Sequence, residues 1–511
     1  MRHSGDVTGR TILVYFVFFV SLVVFSILTA DHLTNAASTE HPNIVLIMAD
    51  DLGYGELGCY GQKIIKTPNI DELAQNGVRF TDFHCGAPVC APSRCVLMTG
   101  KHLGHAAIRN NRSVGNQFPE LRKQYGWEEP GQQPLPAEEV TVAELLKTKG
   151  YATAAIGKWG LGMCGTTGDP NRQGFDLFYG YLCQAHAHNH YPKYLWRNDK
   201  KEILPGNGGT ATGQTFSQDK FTEEAVKFID EHKDGPFFLY LPFTIPHLSI
   251  QVPDDSLAQY KDKIPETPYK HTSKGYFKNA TPHAAYAAMI SRMDAAVGTV
   301  VDELKKHGLQ DNTLLIFTSD NGPAWERLGG TDSKFFNSAG PLRSHKGSAY
   351  EGGIREPFIT YWPGKIPGGR VSNYIGGFQD VLPTICDLAH VDKPTDIDGV
   401  SIMHTLFNTG EQPQHKYLYW EFSGYNQQQA VREGKWKIIR SGVDIGDPPF
   451  ELYDLSTDLG EQHNIAADHP DVVARLTRYA VEAHTPSKSF PLLSTERPKN
   501  YKRVEDPTFT E

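Results

Sequence analysis

Cysteine is scarce. Seven occur in 511 residues: Cys59, Cys85, Cys90, Cys95, Cys164, Cys183 and Cys386. The number is odd and the spacing irregular, which excludes a disulfide-built scaffold and leaves room for one or two bridges, with Cys164–Cys183 the pair to test. Positive charge is also short. Fifty Lys and Arg face 59 Asp and Glu, a formal net charge of −9. Nucleic-acid and membrane-surface binders need a basic face, so neither class fits. An anionic ligand would have to be held by a local cationic pocket. Internal repeats and low-complexity tracts are absent. There is one long apolar run, Ile12 to Leu28, preceded by Arg2 and Arg10 and followed by Thr29-Ala30 and Ala36-Ala37-Ser38. Charged, apolar, then small is the order of a secretory signal, here residues 1–37. The run also approaches the length of a bilayer span, so an uncleaved anchor is the alternative. Either way the folded part is expected outside the cytoplasm, secreted or periplasmic, or in the secretory or lysosomal pathway of a eukaryote. No stable membrane contact is expected unless that segment is retained. Asn111-Arg112-Ser113 and Asn279-Ala280-Thr281 are formal glycosylation sequons.

What the chain does have is short apolar runs that stop at polar residues. Asn43 to Met48 stops at Asp50-Asp51, and Leu314 to Phe317 stops at Asp320-Asn321. Tyr151 to Ile156 leads to Lys158, and Phe237 to Leu241 leads to His247. Each has the composition and length of a buried strand. Helical patterns lie between them. Thr141-Val142-Ala143-Glu144 is a capping box, and its helix stops at Gly150. From His283 to His307, Met289, Ile290, Met293, Val297, Val301 and Leu304 recur at helical spacing. Alternating strands and helices predict an α/β fold, a large, mainly parallel mixed sheet sandwiched by helices. Ligands of such sheets sit at the carboxyl ends of the strands, where this chain places its Asp, Asn, Lys and His residues. Near residue 400 the pattern shifts to short strands, Tyr417 to Phe422, Gln429 to Arg432, Trp436 to Arg440 and Glu451 to Leu455, then a helix from His469 to His484. This predicts a main domain over 42–405 and a smaller α+β domain with an antiparallel sheet over 406–511.

The central motif is Cys90-Ala91-Pro92-Ser93-Arg94, followed by Leu97-Met98-Thr99-Gly100-Lys101. Pro92 suits the first turn of a helix. Such a helix aims free N–H groups and a positive dipole end at residue 90, a setting that could also activate an ordinary thiolate. Arg94 would sit one turn on. The motif resembles the signature of the type I, formylglycine-dependent sulfatases of the alkaline phosphatase superfamily. The resemblance extends from about Pro42 into the helix near residue 480. It implies an alkaline phosphatase-like fold, hydrolysis of sulfate esters, and oxidation of Cys90 to formylglycine by a formylglycine-generating enzyme. Asp50, Asp51, Asp320 and Asn321 match the family's metal ligands, completed by residue 90. They are oxygen donors, as a hard cation requires, calcium or alternatively magnesium. Lys158 and Lys346 match the sulfate-contacting lysines, and His247 the histidine beside the leaving oxygen. With the ion, Arg94 and the two lysines give +5 against three aspartates, leaving +2 toward the sulfate.

The implied mechanism has two stages. One hydroxyl of the formylglycine hydrate attacks sulfur while His247, with Lys346, protonates the departing oxygen. The second hydroxyl then loses its proton, sulfate leaves and the aldehyde returns. One departure stands out. Where the family often reads Gly-Lys-Trp-His-Leu-Gly, this chain has Gly160 in place of the histidine. His186 and His188 are candidates to compensate, and alternation on an extended segment would put them on one face with His190, for substrate, for zinc, or as ordinary solvated surface. His105 and Arg109 could point at sugar or sulfate, or form a structural salt bridge. Tyr191, Tyr194 and Trp196 could stack on sugar rings. The expected substrate is a sulfated carbohydrate, a galactose or N-acetylgalactosamine sulfate. The alternatives are a phosphate mono- or diesterase of the same superfamily and a catalytically silent glycan-binding relative.

Overall fold

A computed structural model describes Met1 and residues 41–270, 276–425 and 427–497. The expected signal segment lies outside them. The core is a ten-stranded sheet. Its centre is four mutually parallel strands: β1 (Asn43–Asp50), β2 (Ala152–Lys158), β3 (Phe237–Pro246) and β4 (Thr313–Ser319), in the spatial order β4-β1-β3-β2. Leu177–Tyr181 continues the parallel run beyond β2, and antiparallel strands form the rest of both margins except Arg370–Ser372.

These runs become strands because both faces are covered. Along β1, Ile44, Leu46 and Met48 enter one apolar layer, while Val45, Ile47 and Ala49 enter the other. β4 alternates in the same way, Leu314 and Ile316 against Leu315 and Phe317. A one-residue slip of either strand would exchange its two faces, so the register is tightly specified. On one side, Pro282–Lys306 packs with Ser217–His232 and Pro68–Asn76. On the other lies helix α1 (Cys90–Thr99), all of whose residues are buried, closed by Gly100 in the left-handed conformation. The capping box forms as read, with Thr141 and Glu144 exchanging side-chain and backbone hydrogen bonds. β3 runs five residues past the apolar stretch that predicted it, which carries the chain to His247.

The second sheet is antiparallel: β5 (Leu418–Phe422), β6 (Gln428–Glu433), β7 (Trp436–Ser441) and β8 (Glu451–Asp454). One face, with Tyr419, Val431, Ile438 and Leu452, packs on helix α2 (Pro470–Ala483) through Val472, Leu476 and Ala480. The other face, with Leu418, Trp420, Ala430 and Ile439, joins the core beside the large sheet. All seven cysteines are free, so the pair singled out for testing, Cys164 and Cys183, forms no bridge. The Cys164 thiol turns instead to the carbonyl of Asn198, 3.6 Å away. No helix among the described residues is long and apolar enough to cross a membrane.

Candidate active site

The carboxyl ends of β1, β2, β3 and β4 meet the N-terminus of α1 around one buried atom, Cys90 Sγ. It lies 3.3 Å from Asp50 Oδ1 and 3.4 Å from both Lys158 Nζ and Lys346 Nζ. Lys158, the last residue of β2, donates to Asp50 Oδ2 at 2.6 Å, and Lys346 donates to Asp51 Oδ1 at 2.6 Å. Arg94, one turn into α1, grips Asp320 Oδ2 through Nε at 3.0 Å and Nη2 at 2.7 Å, and Nη1 donates to the Lys158 carbonyl. Asp51 takes a left-handed φ of 66°, costly for a residue with a Cβ, and its N–H donates to Asp320 Oδ1. Asn321 donates to Asp51 Oδ1 at 2.8 Å, while its own Oδ1 is buried with no partner among the described residues.

The electrostatics follow from burial. Burial and the Asp50 charge push the Cys90 thiol up to about 12, despite Lys158 and Lys346. An unmodified cysteine is therefore protonated at neutral pH, against the expectation that this helix end could activate a plain thiolate. Burial alone would raise Asp50 too, but the charges of Lys158, Arg94 and Lys346 hold it well below the usual range. Burial and the neighbouring Asp50 raise Asp320 to about 6. Burial, then Lys346, drives His247 well below its ordinary value, so its ring is neutral here. Nδ1 donates to the Leu248 carbonyl at 2.7 Å, leaving Nε2 bare, 3.6 Å from Asp51 Oδ2.

Above this cluster opens a cavity of about 690 Å³. Asp51, His247 and Lys346 form part of its floor, while His188, Tyr276 and Trp325 line its walls. The His188 ring stacks on His247 with centroids 5.1 Å apart. The other expected substrate contacts lie elsewhere. His186 pairs with Glu129 at 3.0 Å, because 186–188 turn as a 3₁₀ helix instead of extending. His190 is buried against the His247 carbonyl and Thr244, so no three-histidine face exists. His105 is tied to Asp398 at 2.9 Å, and Arg109 is buried against Glu421 at 2.7 Å and the Thr485 carbonyl. Tyr191, Tyr194 and Trp196 are core residues, the last two bonded to Glu129. A Cβ on Gly160, at φ +81°, would meet Gln184 Nε2 at 2.4 Å, so Gln184 fills the space a side chain there would need. Sequence reasoning missed Gln184, Tyr276 and Trp325, which no periodicity or motif marks. It met Asn111 only as a sequon, yet Asn111 Oδ1 accepts the N–H of Ala91 at 2.8 Å and steadies the residue after Cys90.

A buried acid cluster at the strand ends, a residue at a helix N-terminus between two ammonium groups, and an open cavity define a hydrolase for an anionic ester. Residues 42–391 match the family model described as Sulfatase, and residues 345–483 match N-sulphoglucosamine sulphohydrolase, C-terminal. The chain belongs to the sulfatase family and is a sulfuric ester hydrolase. It is 33% identical over 493 residues to human (Homo sapiens) arylsulfatase A, covering 85% of this chain and 86% of that protein. It is 30% identical over 462 residues to N-acetylgalactosamine-6-sulfatase of Canis lupus familiaris, covering 86% and 81%. The structure of Ps i-CgsB in complex with k-i-k-neocarrahexaose superposes with a TM-score of 0.70 at 26% identity, covering 89% of this chain and 96% of that one.

Proposed function

We propose that this protein removes sulfate from a sulfated carbohydrate, a galactose or N-acetylgalactosamine sulfate, with Cys90 converted to formylglycine by a formylglycine-generating enzyme. One observation carries this reading. Cys90 is placed as a nucleophile, at a helix N-terminus and 3.4 Å from each of two lysines, yet its thiol is pushed up to about 12 and is inert as it stands. An oxidised side chain resolves that conflict. The modified residue would supply, as its hydrate, one hydroxyl to attack sulfur and a second whose deprotonation expels sulfate.

The donor set fits a hard divalent cation, calcium or magnesium. Asp50, Asp51 and Cys90 bring ligand atoms within 4.8 Å of one another, and Asp320 and Asn321, whose Oδ1 has no partner among the described residues, adjoin them through hydrogen bonds with Asp51. Asp50, Asp51, Asp320, Asn321 and residue 90 would hold the ion, which would polarise the attacking oxygen. Lys158 and Lys346 hold the sulfate oxygens, and Arg94 fixes Asp320 and the end of β2. His247 has its Nδ1 proton committed to Leu248, so Nε2 is the atom that faces the leaving alcohol; the Lys346 ammonium supplies the proton, passing it to that oxygen directly or through Nε2. Gly160 cannot act as the second-stage base. Of His186 and His188, His188 is the one in the cavity, and we assign it that role. The chemistry resides in residues 42–405, with 406–511 a smaller domain, and the protein works outside the cytoplasm. Mass spectrometry of the Cys90 peptide tests the nucleophile: the aldehyde is expected in protein that releases sulfate, and thiol alone in such a sample refutes it.

A further inference from the structure

We infer that the mouth of the catalytic cavity is an anion subsite, and that the substrate is a saccharide carrying a second anionic group, held by Arg112 and Lys488, besides the sulfate that is removed. This deepens the proposed function and rests on it. The whole chain carries a net −9, yet among the described residues Asp51 is the one carboxylate lining the cavity, and it is bound to Lys346. Two further cations line the same space, Arg112 and Lys488, both exposed.

Arg112 is anchored without being neutralised. Nη1 donates to the Ser489 carbonyl at 2.9 Å, and the guanidinium carbon stands 6.0 Å from the centre of the Phe490 ring. Its remaining N–H donors have no acceptor among the described residues, and no carboxylate there pairs with it. Arg109, Arg292 and Arg475 are met by Glu421, Asp219 and Glu433, whereas Arg122 and Arg370 spend their donors on several backbone carbonyls each; Arg112 spends one. A pinned guanidinium with free donors is prepared for a planar or tetrahedral oxyanion. Because Arg112 reaches Ser489, it also brings Lys488 to the same wall, and Lys488 likewise has no carboxylate partner among the described residues.

The subsite is tied to the chemistry through the backbone. Asn111 holds the N–H of Ala91, so Arg112 starts from the residue next to that contact. Arg112 and Lys488 line the same cavity as Asp51, His247 and Lys346, so a second anion on the sulfated sugar itself, or on the sugar joined to it, would share one space with the sulfate. Trp325 and Tyr276 line the space between floor and mouth, where aromatic faces suit a sugar ring. The shared chemistry is an oxyanion, either a second sulfate ester or a uronate carboxylate.

The test measures affinity by calorimetry in full-length Cys90→Ala protein, which does not depend on turnover. The probes are N-acetylgalactosamine 6-sulfate, its disulfated form, and the same sulfated sugar joined to glucuronate. At least one dianionic probe should bind ten times or more tighter than the monosulfated sugar, and which one does so identifies the source of the second charge. Adding Arg112→Gln and Lys488→Gln together should bring that ratio close to one. Equal affinity for all three probes overturns the inference, and so does a ratio that survives the double substitution. A loss equal for all probes is a structural effect and also overturns it. Sulfate release by unaltered, aldehyde-bearing protein is measured separately; its absence refutes the proposed function and leaves the affinity ratio to judge the subsite.

Discussion

Two buried clusters in this protein have the same formal composition and opposite characters. At the strand ends, Asp50, Asp51 and Asp320 face Arg94, Lys158 and Lys346, with His247 beside them. Where the two sheets meet, Asp82, Glu351 and Glu461 face Arg355, Arg432 and Lys437, with His84 beside them. Each set holds three acids, three bases and one histidine, and each contains a His/acid group close enough to bind a metal. The second set is closed on itself. Arg432 Nη2 donates to Asp82 at 2.7 Å, Lys437 bridges Glu351 and Glu461 at 2.9 and 2.8 Å, and His84 lies 3.2 Å from Glu351. None of its members lines the cavity. The first set borders open space and surrounds a thiol that burial keeps protonated, and beside it Asn321 Oδ1 has no partner among the described residues. Charge content does not mark a site; unfinished pairing beside a cavity does.

The sharpest way to break this contrast is to exchange the phenotypes. Cys90→Ala should cut sulfate release by at least about a thousandfold while leaving thermal stability near that of the parent. Residual turnover within tenfold of the parent would deny residue 90 its part in the chemistry. Stripping divalent ions with a chelator should lower turnover by about a hundredfold or more and lower the Tm, with both restored by calcium or magnesium. A Tm and rate indifferent to chelation would place the first cluster in the same structural category as the second. His188→Gln should lower kcat by about a hundredfold and allow sulfate to accumulate on residue 90, seen by mass spectrometry. His186→Gln, outside the cavity, should leave turnover within about twofold, and the reverse ranking would reassign the base.

Predictions for the closed regions are expressed in stability. Glu351→Gln unpairs a buried network and should cost about 3–5 kcal/mol in chemical denaturation, with kcat of the folded fraction unchanged. A smaller effect comes from Glu129. Burial alone would raise its carboxyl, but the hydrogen bond and charge of His186, with the Trp196 N–H, hold it at about 2, below the ordinary 4.5. Its folded value is depressed, so its contribution is present above pH 4.5 and is lost as pH falls toward 2. Glu129→Gln should therefore lower the Tm by a few degrees at pH 7 and by less at pH 3. An equal loss at both values would remove the charge from the explanation.

Much of the proposed catalytic cluster was legible because strand-end residues announce themselves. Asp50, Lys158, His247 and Asp320 each terminate an apolar run, and both the sheet type and the ligand position follow from that pattern. Cys90 and Arg94 stood in a local motif. Lys346 reached the site by resemblance alone, since its segment has no regular structure to read. His105 and Arg109 take the salt-bridge alternative that the sequence left open, while His186 departs from its expected place, and the cause is shared. His105, Arg109 and His186 are satisfied by Asp398, Glu421 and Glu129, residues 293, 312 and 57 positions away, and nothing local foretells such pairings. The 186–190 segment was read with a two-residue period, whereas Ala187 turns into the core and folds the histidines to different sides. Tyr276, Trp325 and Phe490 come from three distant segments, so the cavity they line exists only once the chain has folded.

The second sheet supplies more than ballast to the first. One of its faces seals the core, and the chain around it sends Ser423 to Tyr425 and Lys488 to Pro491 back across the molecule to complete the cavity wall. The proposed bond-breaking groups sit at the strand ends of the large sheet, on α1 and on the segment of Lys346, while part of the cavity wall comes from the chain around the small sheet. The two inventories are physically separable. Exposed residues in the returning segments can be exchanged without touching a ligand, a lysine or residue 90. A lineage built on this plan can change what it admits while keeping unaltered the means by which it acts.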